Sequence, residues 1–324
     1  MLLTSKHLNA STITSKQLPE NEEELLLVIG IKTAVAANFV IRQAIRQTWA
    51  RKQVLPVGVK AFLLGCRPRA NTGSDDDDWN DDSTSLNRLM EAVELEKMLY
   101  GDLLTDELDC EDSYEGLAKK VKQFLHFVAI NYARAKYVMI ADDDLYVRMD
   151  KVVHKLKTMA PPVRFYTGQV RAIENAQKET PIRVKNPKLR YALSKDQFPM
   201  SVLPPFALGA YVFLSMDCVL FVSKNRKRLH DLSGMDDMSI ALWLLSIQVH
   251  PQPFRQLEHL RGGPCNNDLV TIGDLSPLSI RLVHDNLLAQ RAMCHGFNHH
   301  IWLKPASLAP SRTHCSELPY TRRL

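Results

Sequence analysis

Three consecutive carboxylates, Asp142, Asp143 and Asp144, interrupt an apolar run that reads K-Y-V-M-I-A-D-D-D-L-Y-V from Lys136 to Val147. Adjacent carboxylates repel one another, so such a run is tolerated only where a cation sits or where water reaches all three. Apolar Leu145 and Val147 follow closely, which makes the acids a notch between hydrophobic segments rather than a solvated tail. Oxygen donors in that setting suit a hard divalent cation. A second acidic centre, Met235-Asp236-Asp237-Met238, lies about ninety residues further on and precedes a helical pattern. A helix start favours the ionised form of both acids. A cation that holds a diphosphate and a base that deprotonates a hydroxyl need two such separate groups. As local structure alone, the first would be an acidic strand-to-loop turn and the second a helix cap.

The elements that must position these groups are legible in the surrounding pattern. Tyr137 to Ile140 is a short run of β-formers that fits a strand buried on both faces, with the acids at its C-terminal end, where open α/β sheets bind ligands. Leu25 to Ile31 and Lys60 to Gly65 make further strands, and Gly101 to Leu104 begins a short one. Asn38 is placed to cap a helix running through Arg42, Arg46 and Trp49. Helices are expected over Met90 to Tyr100, Ser113 to Ala133, Asp150 to Met159 and Ser239 to Gln248. Arg164 to Gly168 is a strand, and Phe206 to Phe213 runs apolar around Gly209, a residue that lets backbone approach a ligand closely. Strands alternating with helices give an α/β fold with a largely parallel sheet. Asp75 to Asp82 lacks flanking apolar structure and reads as a solvated loop, and Pro181 to Pro205 as irregular chain.

The chain has 324 residues, 45% of them hydrophobic, and a net charge of +5, enough for a large core in an ordinary globular protein. Its basic residues are scattered, so no nucleic-acid footprint is evident; the densest stretch, Lys178 to Lys195, reads as a solvated loop. Six cysteines include no C-x-x-C pair, against a zinc ribbon or thioredoxin-type site. Leu25 to Ile41 is the one membrane candidate, but it carries Lys32 in its interior, follows three glutamates and is short for a span. Asn9-Ala10-Ser11 is a sequon.

Five strings in order carry a resemblance. N-F-V-I-R-Q-A-I-R-Q-T-W, D-S-Y-E-G-L-A-K-K, D-D-D-L-Y-V, P-P-F-A-L-G-A-Y-V-F and D-D-M-S-I-A-L-W resemble the motifs of the β-1,3-glycosyltransferases of glycosyltransferase family 31, inverting enzymes of the GT-A fold. The likeness runs from about Leu25 to Cys294. It implies a leader over 1–23, a catalytic domain over 24–305 and a tail over 306–324. It also implies donor-side roles for Arg42, Arg46, Asp112, Tyr114, Lys120, Asp142 and Asp143. Manganese would lie on Asp144 and Asp142, bridging them to the diphosphate, with Asp237 as the base and Asp236 the acid before it. A Cys265–Cys294 disulfide, a Golgi-luminal setting with an N-terminal anchor that this sequence does not display, and a nucleotide-sugar donor with a glycan acceptor follow in the same way. Within the family, A-L-G, A-L-W and C-N-N-D-L-V-T look closest to members that build the glycosaminoglycan linker.

The departures are specific. Gly116 and Ala118 replace the usual Asn and Thr, the Gly209 segment is one glycine short, and Ile272 stands where related enzymes often carry a metal-binding His, with His284 nearby in sequence. The implied activity is transfer of galactose from UDP-galactose to a sugar hydroxyl. The alternatives are an N-acetylhexosaminyltransferase of the same machinery, a glycan-binding homologue without catalysis, and a metal-dependent phosphohydrolase, for which Asp142 lacks a nucleophile context.

Overall fold

The computed structural model describes residues 25–68, 79–159, 163–171, 196–200, 203–254, 259–260 and 267–297. Along the chain come β1 (Leu27–Lys32), α1 (Phe39–Gln47), β2 (Val59–Leu64), α2 (Trp79–Tyr100), β3 (Leu103–Leu104), α3 (Leu117–Asn131), β4 (Tyr137–Asp142), β5 (Tyr146–Val147), α4 (Met149–Thr158) and β6 (Tyr166–Arg171). Then follow β7 (Phe206–Ser215), α5 (Met216–Asn225), α6 (Asp236–Leu245), β8 (Gln252–Pro253), β9 (His259–Leu260), β10 (Thr271–Ile272) and α7 (Pro277–Leu288).

Seven strands make one sheet in the order β3-β2-β1-β4-β7-β6-β8, so β4 is its middle strand. It runs parallel to β1 on one side and antiparallel to β7 on the other. Three short strands, β5-β10-β9, form a second sheet beside the end of β4. As expected, the fold is α/β and the sheet mostly parallel.

Strand alternation sorts the core into two layers. Leu27, Ile29 and Ile31 of β1 and Tyr137, Met139 and Ala141 of β4 face one layer, with Ala44 and Ile45 of α1, Val152 of α4 and Ile280 of α7. Val28 of β1 and Val138 and Ile140 of β4 face the other, with Phe124 of α3, Val219 of α5 and Trp243 of α6. Gly30 belongs to this second face, where a Cβ would collide with the Phe124 ring. Burying an aliphatic or aromatic side chain contributes about 1.5–3 kcal/mol, so two packed faces fix β4 and, with it, the acids at its end.

Several expected boundaries move. α2 begins at Trp79 rather than Met90, so residues 79–82 belong to a helix and not to a solvated loop. α6 begins at Asp236, placing both acids in its first turn instead of ahead of it. Asn38 does precede α1, but its side chain does not cap the helix, being spent elsewhere. The 178–195 stretch and Cys265 lie outside the described residues.

Candidate active site

The parallel register of β1 and β4 sets Lys32 beside Asp142. By alternation both project from the face covered by α3 and α6. There the Lys32 ammonium makes three contacts: 2.8 Å to Asp142 Oδ1, 2.6 Å to Asp236 Oδ2 and 2.9 Å to the Gly209 carbonyl. Lys32 is 4% exposed. Burial alone would lower its pKa, but the charges of Asp142 and Asp236 outweigh burial, so it is held above its ordinary value and stays protonated. Burial pushes Asp142 up, against the pull of Lys32. In the sequence, Lys32 stands out only as a charge that speaks against a membrane span. The signal that could have found it was a lysine ending one buried strand beside an aspartate ending the next.

The remaining acids of the run are held differently. Asp143 accepts a hydrogen bond of 2.8 Å from the Asn38 amide. The Trp49 indole N–H donates to the Leu145 carbonyl at 2.8 Å, and the Leu275 N–H to the Asp144 carbonyl at 3.0 Å. Two ends of one helix motif, Asn38 and Trp49, thus pin the turn on either side of Asp144. Among the described residues no cation pairs with the Asp144 carboxylate, and burial, with the charges of Asp142, Asp274 and Asp143, pushes it up to about 7.

At the start of α6 the two acids separate by role. Asp236 is buried and paired with Lys32, whereas half-buried Asp237 is hydrogen-bonded by backbone, at 2.7 Å from the Met238 N–H and also by Gly209, and has no cation partner among the described residues. Burial, then the Asp236 charge, pushes Asp237 up to about 7. Gly234, at φ +67°, leads into this turn with the Tyr114 ring packed where its Cβ would be.

Several of the expected donor-side residues bond the backbone that follows β1. Arg42 is fully buried, bonds Glu96 through Nε and Nη2 at 2.8 and 2.7 Å, and donates to the Ala34 and Val35 carbonyls at 2.7 and 2.9 Å. Arg46 pairs with Asp102 at 2.6 Å and Glu96 at 2.5 Å, and stacks on Tyr100. Asp112 accepts from the Val35 N–H at 2.6 Å and from Lys120 at 2.7 Å, while Lys120 also donates to the Thr33 carbonyl at 2.8 Å. Burial lowers the Lys120 pKa despite Asp112. Arg42, Asp112 and Lys120 together hold the loop between β1 and α1. Arg42 thus pairs with Glu96 and the loop, and Arg46 with Glu96 and Asp102.

A divalent cation fits this site in a limited way. Among the described residues no three His, Cys, Asp or Glu side chains form a cage. An ion here would be held by Asp144, with Asp142 near it, and by oxygens that a bound diphosphate brings, as is usual for hard ions at nucleotide sites. Ile272 is fully buried in the core and supplies nothing; His284 hydrogen-bonds the Tyr146 hydroxyl at 3.0 Å. Asp274, two residues beyond Ile272, brings its charge beside Asp144 instead.

An unexpected Cys66–Cys110 disulfide joins the end of β2 to the chain after β3. Cys294 is also disulfide-bonded, and Cys218 is buried and free.

Comparison with known proteins agrees with this picture. The chain is 28% identical over 274 residues to mouse "Beta-1,3-galactosyltransferase 1", covering 82% of this chain and 74% of that protein. It is 26% identical over 237 residues to zebrafish "Lactosylceramide 1,3-N-acetyl-beta-D-glucosaminyltransferase A", covering 71% and 56%. A solved glycosyltransferase involved in glycosylation of the major capsid of PBCV-1 aligns with a TM-score of 0.40 at 7% identity over 80% of this chain and 98% of that one, a likeness too low to add to the argument. The galactosyltransferase family model matches residues 41–255, a stretch that holds most of α1, the acid run and the start of α6 with both of its acids. With well over half of its length matched, and both acidic centres inside the match, the chain belongs to the galactosyltransferase family and is a sugar-transferring enzyme.

Proposed function

We propose that the protein transfers galactose from UDP-galactose to the 3-hydroxyl of an acceptor sugar with inversion at the anomeric carbon. The observation that carries this reading is a division of labour among the acids. Lys32 pairs with both Asp142 and Asp236, leaving Asp144 and Asp237 as carboxylates without a cation partner among the described residues. Asp237 would accept the acceptor's hydroxyl proton as its oxygen bonds the anomeric carbon from the face opposite UDP, and UDP would leave with the bonding electrons. A pKa near working pH suits a general base, whose help is worth roughly a hundred- to ten-thousandfold. Asp144, with Asp142 beside it, would hold manganese, which when bound stabilises the charge on departing UDP.

An N-acetylhexosamine donor is the second reading, supported by the name of the zebrafish relative. A luminal, oxidising compartment such as the Golgi fits the Cys66–Cys110 bridge and the bonded Cys294. No helix among the described residues is long and apolar enough to cross a membrane. The test is a panel of UDP-sugars against galactosides, including proteoglycan-linker analogues, with manganese, reading UDP release and product linkage. Galactose incorporation at a 3-hydroxyl is expected; incorporation of N-acetylglucosamine alone would replace the donor assignment.

A further inference from the structure

We infer that Lys32 is a positioning residue for the transfer step, tying the donor-side carboxylate Asp142 to Asp236 at the start of α6 and so setting where Asp237 stands relative to the bound donor. This rests on the galactosyl-transfer reading above.

An ammonium has three N–H donors, and here they meet three acceptors: Asp142 Oδ1, Asp236 Oδ2 and the Gly209 carbonyl. No donor remains for a phosphate or a sugar, so Lys32 works through its partners rather than by touching substrate. Each partner belongs to a different part of the site. Asp142 ends β4 at the acid run, Asp236 opens α6 next to the base, and Gly209 lies on β7 against both acids of α6. Without the ammonium, Asp142 and Asp236 would be like charges facing each other across a buried gap, which drives them apart. Burying a lysine is costly unless it is paired and hydrogen-bonded, and the geometry here satisfies that condition on both counts. A methionine would fill similar space, so packing alone does not call for lysine at this place.

The test compares the parent with Lys32→Met and with the double variant Lys32→Met/Asp236→Asn. The double variant removes the buried pair as a unit; Asp142, whose side chain is 40% exposed, can then be solvated, so this variant is expected to fold even if the single one does not. UDP binding with manganese is measured by calorimetry, and kcat and donor KM are measured for transfer. The inference requires UDP binding and donor KM within about threefold of the parent and kcat lower by roughly ten- to a hundredfold, the cost of misplacing a catalytic group by a fraction of its reach. Parent-level kcat in a folded variant overturns it, since the pair is then only structural. Loss of UDP binding also overturns it, by making Lys32 a donor-binding group. A parent protein that binds UDP but transfers no sugar overturns the functional reading itself and the inference with it, which is a distinct result from a competent parent with equally competent variants.

Discussion

Gly209 lies so close to Asp236 that a Cβ added to the glycine would come within 3.3 Å of Asp236 Oδ1 and 3.5 Å of the Asp237 Cβ. The apolar strand β7 therefore passes the first turn of α6 at backbone distance, and the acids stand where they do because nothing projects between them and that strand. Gly209→Ala is expected to shift the turn by a few tenths of an ångström, lowering kcat by roughly tenfold with UDP and manganese binding retained. Steady-state kinetics with calorimetry checks this, and an unchanged kcat would mean the turn tolerates a methyl.

Asp237→Asn keeps the size and hydrogen-bonding capacity of the side chain and removes its proton affinity. Transfer should fall by at least roughly a hundredfold while UDP and manganese binding persists. Asp236→Asn should do less, because that carboxylate is committed to Lys32. Reversal of the two effects would exchange their roles.

The pH dependence follows from the raised Asp237 pKa. Below about 7 the acid is protonated and cannot take a proton, so kcat/KM should fall with decreasing pH through that value. At saturating manganese the fall should follow one proton. At limiting manganese it should steepen, since Asp144, also pushed up to about 7, must lose its own proton to hold the ion. A pH-rate profile at two manganese concentrations distinguishes these slopes, and a flat profile down to pH 5 would exclude Asp237 as the base.

Asp144 also links pH to stability. Its folded pKa is raised to about 7 from an ordinary 3.8, so between these values the folded state binds more protons than the unfolded one. Stability therefore declines as pH rises through this window. In metal-free protein, Asp144→Asn should melt a few degrees above the parent at pH 8, about 1 kcal/mol in a domain of this size, and the advantage should vanish near pH 4. Manganese should raise the parent's melting temperature and not the variant's. Thermal melts at the two pH values, with and without the ion, check both statements.

Much of this arrangement is legible in the residues themselves. The two-faced burial of β4 follows from Tyr137 to Ile140, and the acid run marks the end of that strand. The distinction between Asp236 and Asp237 is not legible, because adjacent acids at a helix start differ only in what faces them, and Lys32 comes from a strand two hundred residues away. Arg42 and Arg46 illustrate the same limit. Motif position suggests donor contact, and it does not show that Glu96 and Asp102, on α2 and just after it, pair with their guanidinium groups. The Cys66–Cys110 pair was hidden because cysteine spacing does not reveal that β2 and β3 are neighbours.

The central claim is inversion assisted by Asp237, and the stereochemistry of the first-formed product tests it most directly. With UDP-galactose carbon-labelled at the anomeric centre, manganese and a galactoside acceptor, NMR reports the configuration of the new glycosidic bond, which does not mutarotate. The account requires a β-linked galactose from the parent and no detectable product over the same interval from Asp237→Asn protein that still binds UDP. An α-linked product, or a β-linked product formed by Asp237→Asn at the parent rate, would contradict it.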